Sequence, residues 1–222
     1  MKTLIKNLVE AFGPSGQETA VSALLADLIR GYADEVRTDN MGNLIAHKKG
    51  TGQGLRVMLA AHMDEIGLVV SHIDQQGFAR FQTVGGVFPM TLGGGRVRFA
   101  NGAAGVVGWE HWLQKRELPK MEELFIDLGA TSAEAAPVGV GDVACFDRPF
   151  EDLGKRLVAK AFDDRIACAI AAQVLIELPE TSHDVFVVFT AQEEVGTRGA
   201  MTAAFGIAPD VAVAVDVTDT GD

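Results

Sequence analysis

Apolar side chains recur at Val21, Leu24, Leu25, Leu28 and Ile29, one face of a helix predicted over residues 16–30. Ser15 and Glu18 stand where a capping box would start it, and Gly31 where it would stop. The segments EVRTD and NLIAHKK alternate around Asn40 to Gly42 like a hairpin, and RVMLAAH (56–62) is the near-continuous apolar run of a buried strand. From about Gly67 to Gly154 the pattern changes to short strand-like runs broken by glycine: VVSHID, FARFQTV, RVRFA, AAGVVGW and DVACF. Longer alternation then returns with DDRIACAIAAQVLIEL, DVFVVFTAQ, TRGAMTAAF and DVAVAVDV, the rhythm of strands joined by covering helices. The prediction is an α/β fold: a mostly parallel or mixed sheet flanked by helices, built from residues 1–66 and 155–222. A small β-barrel-like insertion, 67–154, interrupts it.

Composition narrows the partners. The 222 residues carry 30 acidic and 19 basic side chains, a formal charge of −11, and the basic residues do not cluster. Phosphate backbones and anionic membranes would be repelled, so neither nucleic acid nor membrane is expected as a partner. No apolar run approaches the roughly 20 residues of a membrane span. The opening MKTLIKNLVEAF is broken by Lys6 and Glu10 at helical spacing, unlike a signal peptide. Cys145 and Cys168 are too few for a disulfide framework and too far apart for a CxxC motif, which suits a reducing, cytoplasmic setting. Gly93 to Gly95 lack the strand, helix and lysine of a phosphate-binding loop and read as a turn.

Charged groups gather at the carboxyl ends of the strand-like runs, where open α/β sheets place their sites. His62 and Asp64 follow RVMLAA, Glu193 and Glu194 follow DVFVVFTAQ, Asp216 lies within VAVAVDV, and Asp163 and Asp164 open a helix after LVAKAF. Singly, each has an ordinary structural explanation; the Asp pair, for example, could cap its helix. Together they are costly to desolvate unless paired or bound to a cation. One imidazole and several carboxylates suit Zn²⁺, Co²⁺ or Mn²⁺, and a shared carboxylate would let two ions sit side by side.

The segments FGPSGQE (12–18), DNMGN (39–43), AAHMDEIG (60–67), KAFDDR (160–165), AQEEVGTRGA (191–200) and AVDVTDTGD (214–222) occur in the order found in one enzyme family. The chain resembles the metallo-aminopeptidases related to glutamyl aminopeptidase and the tetrahedral, self-compartmentalising aminopeptidases, some of them once called endoglucanases. The resemblance implies a zinc-peptidase-like fold, peptide substrates, two divalent metal ions, and homo-oligomers from dimers to dodecamers formed through the β insertion. His62, Asp163, Glu194 and Asp216 match metal ligands, with Asp163 bridging. Asp64 matches the carboxylate that orients His62, and Glu193 the general base. Asp163 and Asp164 both remain open as the bridge. In related peptidases the bridging Asp precedes a cis peptide bond, here Asp163–Asp164.

The resemblance also implies a longer chain with a late histidine that completes the second metal site. His47, His72, His111 and His183 are not obvious substitutes for it, so the second site is expected to be incomplete and apolar surface uncovered. WEHWLQK (109–115) and Asp219 depart from the usual pattern. Two other functions stay open: a dinuclear amidohydrolase of N-acyl amino acids, and an inactive truncated scaffold or subunit. Glycoside hydrolysis would leave His62 and the Asp pair without a role.

Overall fold

The structure, a computed structural model, describes residues 1–110 and 118–218. His111, most of the WEHWLQK segment and Asp219 lie outside the described residues. The chain divides into two compact units, Met1–Glu65 with Phe150–Asp222, and Ile66–Pro149.

In chain order the first unit begins with α1 (Lys2–Glu10), α2 (Thr19–Ile29), β1 (Glu35–Thr38), β2 (Leu44–Lys48) and β3 (Arg56–His62). The second unit supplies β4 (Gly67–Ile73), β5 (Phe78–Val84), β6 (Arg96–Phe99), β7 (Ala104–Trp109), β8 (Leu124–Asp127) and β9 (Val143–Phe146). The first unit resumes with β10 (Glu151–Asp152), β11 (Leu157–Val158), α3 (Phe162–Glu177), β12 (Asp184–Thr190), α4 (Arg198–Ile207) and β13 (Val211–Ala214). The insertion therefore ends earlier than residue 154, because the β10–β11 hairpin pairs with itself and is tied to α1 by the Lys2–Asp152 ion pair at 2.7 Å.

The first unit is built on a mixed five-stranded sheet, order β1-β2-β12-β3-β13. β3 runs parallel to both β12 and β13, whereas β2 is antiparallel to β12 and to β1. Alternation along the strands sends side chains to two layers. Leu44, Ala46, Ala61, Val187 and Phe189 pack with α1, α2 and α3; Ile45, Met58, Phe186 and Val188 pack with Ala203 and Ile207 of α4. Small residues at Ala167, Cys168, Ala171 and Ala172 let α3 lie close on the sheet. In α2 the buried positions are Val21, Leu25 and Ile29, an i, i+4, i+8 stripe, and Leu24 is exposed.

Two sequence expectations change here. The capping box does not form: α2 starts at Thr19 with no side-chain cap, and Ser15 and Glu18 bond elsewhere. The strand carrying Asp216 ends at Ala214, so Asp216 lies just past the sheet. β13 is an edge strand whose four apolar residues are all exposed. The barrel also has a strand absent from the sequence reading, β8, whose LFID stretch is only four residues long.

The second unit closes into a six-stranded antiparallel barrel, order β4-β5-β8-β7-β6-β9. Leu68, Val70, Phe81, Val97, Phe99, Leu124, Ile126 and Phe146 fill its interior. Closure leaves no free sheet edge. No helix among the described residues is long and apolar enough to cross a membrane.

Candidate metal centre

His62 is the last residue of β3, paired in register with Thr190, the last residue of β12. The carboxyl ends of two parallel strands therefore deliver His62 and the turn carrying Glu193 and Glu194 to one place. Asp216 follows the neighbouring β13, whose backbone stays bonded to β3 through Val215 N–H and the Ala60 carbonyl at 2.8 Å. Asp163 and Asp164 enter at the start of α3. This is the crevice at strand ends where α/β sheets present ligand sites.

The His62 ring is almost wholly buried, and its two nitrogens face different groups. Nε2 lies 2.9 Å from Asp163 Oδ1 and 3.9 Å from both Glu193 Oε2 and Asp216 Oδ1. Nδ1 lies 3.2 Å from the Asp64 carbonyl and 3.4 Å from Asp64 Oδ1. The ring is thus gripped from behind by Asp64 while Nε2 points into the carboxylate cluster. Asp64 is itself fully buried and accepts from Ser15 Oγ at 2.5 Å and from the backbone N–H groups of Glu193 and Glu194 at 3.0 and 3.1 Å.

The Asp163–Asp164 peptide is cis, and the two side chains part company. Asp163 is exposed and meets Nε2; Asp164 is fully buried and accepts the His62 backbone N–H through Oδ2 at 3.3 Å. Asp164 Oδ1 has no hydrogen-bond partner, the one such buried side-chain atom found among the described residues. Two donor sets have their atoms within 4.8 Å of one another: His62 with Asp164 and Asp216, and His62 with Asp163 and Glu194.

The charges show what this cluster lacks. Burial opposes charging the His62 ring, but hydrogen bonds to Asp163 and Asp64 and the field of the carboxylates prevail and push its pKa up to about 11. Burial raises the Glu194 carboxyl to about 7, with Asp163 adding to the effect, and raises Asp164 to about 7 against the pull of His62, with Asp216 and Asp163 adding. Glu193 is raised too, again chiefly by burial. Asp64 moves the other way: burial alone would raise it, but His62, Ser15 and the Glu193 amide hold it low. Bare, the cluster collects protons at His62, Asp164 and Glu194. A divalent cation would neutralise the same charge, and one nitrogen with several oxygens suits Zn²⁺, Co²⁺ or Mn²⁺. The orphaned Asp164 Oδ1 and the convergence on Nε2 both fit such an ion.

Every residue nominated from the sequence reaches this place: His62, Asp64, Asp163, Glu193, Glu194 and Asp216. Asp164 adds a buried carboxylate beneath His62, and Ser15 adds a hydroxyl on Asp64. His47 and His183 sit away from the cluster in structural roles. His47 pairs with Asp184 at 2.9 Å and stacks on Phe186, and His183 Nδ1 accepts the Leu55 N–H at 2.9 Å.

Residues 42–222 match the M42 glutamyl aminopeptidase family. A protein of Acetivibrio thermocellus is 45% identical over the whole of this chain, which spans 67% of that relative. Among solved structures, the TET aminopeptidase of the marine sediment archaeon Thaumarchaeota archaeon SCGC AB-539-E09 superposes with a TM-score of 0.93 at 36% identity, covering 100% of this chain and 67% of its own. The Pyrococcus horikoshii TET1 peptidase, described as assembling into a tetrahedron or a large octahedral shell, superposes with a TM-score of 0.88 at 32% identity, covering 97% and 68%. The chain thus spans about two-thirds of the length of each of these three proteins.

Proposed function

Because the chain belongs to the M42 glutamyl aminopeptidase family, we propose that it contributes a centre for two divalent cations that removes N-terminal residues from peptides, with Glu193 as general base. The observation that carries this reading is the aim of His62 Nε2, buried and turned toward Asp163, Glu193 and Asp216 together.

In this reading His62, Asp163 and Asp216 would hold the first cation, and Asp163 and Glu194 the second. Cations held there would supply polarisation of the scissile carbonyl and a water of lowered pKa. Asp64 fixes the His62 ring through Nδ1, leaving Nε2 free to coordinate. Glu193 takes a proton from the attacking water and later hands it to the leaving amine, a task that its raised pKa favours. Asp163, rather than Asp164, is the bridge in this reading, because it is Asp163 that meets Nε2 while Asp164 is engaged with the His62 backbone.

The two donor sets share a single imidazole, which can serve one ion, so the described residues offer one full site and a poorer second. Self-association is part of the proposal, supported by the assemblies named for the Pyrococcus horikoshii peptidase and by the exposed Phe88 and Met90 of the barrel unit. The test is hydrolysis of aminoacyl amides after addition of Co²⁺ or Zn²⁺, with N-acyl amino acids assayed alongside. Release of the free-amine residue alone supports the proposal. Cleavage confined to the blocked substrates would favour the amidohydrolase, and no turnover with either metal would select the inactive scaffold.

A further inference from the structure

The turn that carries Glu193 and Glu194 is held in an unusual way. Four consecutive backbone N–H groups, Ala191 to Glu194, each donate to a side-chain oxygen from another part of the chain. Asn43 Oδ1 accepts from Ala191 at 2.9 Å, Glu18 Oε1 from Gln192 at 3.1 Å, and the two Asp64 oxygens from Glu193 and Glu194 at 3.0 and 3.1 Å. Gln192, in the middle, has the left-handed φ of 57° that a side chain rarely adopts without support. The acceptors are themselves tethered. Ser15 Oγ donates to Asp64 at 2.5 Å, Gly16 N–H to Glu18 at 2.7 Å, and Asn43 Nδ2 to Asp39 and the Gly199 carbonyl at 2.8 and 3.0 Å. Glu18, Asn43 and Asp64 are all buried. A Cβ at Gly199 would come 2.2 Å from Asn43 Oδ1, so the turn fits its holder closely.

We propose that Ser15, Glu18 and Asn43 are positioning residues, which with Asp64 clamp the backbone of residues 191–194 so that the Glu193 and Glu194 carboxylates face the cations. This gives the FGPSGQE and DNMGN segments a role that neither helix capping nor hairpin formation explains, since Glu18 accepts from the Gln192 amide of the catalytic turn and Ser15 donates to Asp64, which accepts from the next two amides. It rests on the metal reading of Glu193 and Glu194 given above. A carboxylate without a pre-set backbone must be ordered when the ion binds, and loss of such supporting contacts typically costs 10- to 100-fold in metal affinity.

The test compares Glu18→Ala with Glu18→Gln, which keeps Oε1 as an acceptor, in the 222-residue protein. Hydrogen–deuterium exchange of the peptide spanning 191–197 is measured metal-free, and Co²⁺ affinity is measured on samples with matching circular dichroism. Glu18→Ala should speed exchange about 10-fold or more and weaken Co²⁺ binding about 10- to 100-fold, with Glu18→Gln within roughly threefold of the parent in both. Unchanged exchange in Glu18→Ala, or a failure of Glu18→Gln to restore it, overturns the clamp. If Glu18→Ala does not fold, Ser15→Ala against Ser15→Thr takes its place with the same readouts and the same criteria. A parent protein that binds no Co²⁺ sinks the metal reading and with it the catalytic purpose of the clamp, whereas parent binding with unaltered exchange in the variants sinks the clamp alone.

Discussion

Replacing Asp164 by Asn should stabilise the metal-free protein, and increasingly so as pH rises. Asp164 is fully buried, its Oδ1 has no partner, and burial together with Asp216 and Asp163 lifts its pKa from 3.8 to about 7. A raised acid favours the folded state only while it stays protonated. Its contribution is complete below pH 3.8 and is lost as pH climbs through 7. The gap between 3.8 and about 7 corresponds to about 4 kcal/mol, at about 1.4 kcal/mol per tenfold change. Asn has the shape of the protonated acid and carries no charge at any of these pH values. Denaturant unfolding in EDTA should therefore show the variant drawing ahead of the parent between pH 4 and pH 8. The gain is at most about 4 kcal/mol, a figure that already includes the pull of His62 on the Asp164 charge. Saturating Co²⁺ should shrink or reverse the gain, because the cation then stabilises the parent's carboxylate. A difference that stays flat with pH, or a variant less stable at pH 8 without metal, would refute the reasoning.

Glu193→Gln should lower kcat for aminoacyl amides about 10²- to 10⁴-fold while leaving Co²⁺ stoichiometry unchanged, which kinetics and metal analysis on one preparation would show. Arg165→Leu should cost about 3 to 5 kcal/mol in denaturant unfolding. The Arg165 guanidinium is fully buried and donates to the carbonyls of Met63, Leu8, Ala11 and Gly13 and to Glu65; removing it takes the side-chain donor from the Met63, Leu8 and Gly13 carbonyls, whereas Ala11 and Glu65 keep Lys160. A loss below about 1 kcal/mol would mean that the carbonyls find other partners.

The sheet and the centre were legible because their signals are local. Between Arg56 and His62 the β3 segment is apolar, since it is flanked by parallel strands and packs against helices on both faces, and strand ends are where α/β sheets put charged residues. The similar composition of DVAVAVDV goes with a different setting, since β13 is exposed at the sheet edge and composition does not reveal what covers a surface. β8 escaped because four residues give too short an alternation to recognise. The pattern at Ser15 and Glu18 satisfied the spacing of a capping box, but the hydroxyl bonds the distant Asp64 carboxylate and the Glu18 carboxylate the distant Gln192 amide, so tertiary contacts prevailed over the local alternative.

The account stands most directly on whether His62 anchors a cation. Protein stripped with chelator, reloaded with Co²⁺ and dialysed should retain one equivalent per 222-residue chain, and His62→Ala should retain none. Equal retention by the parent and His62→Ala, or no retention by the parent at all, would contradict it.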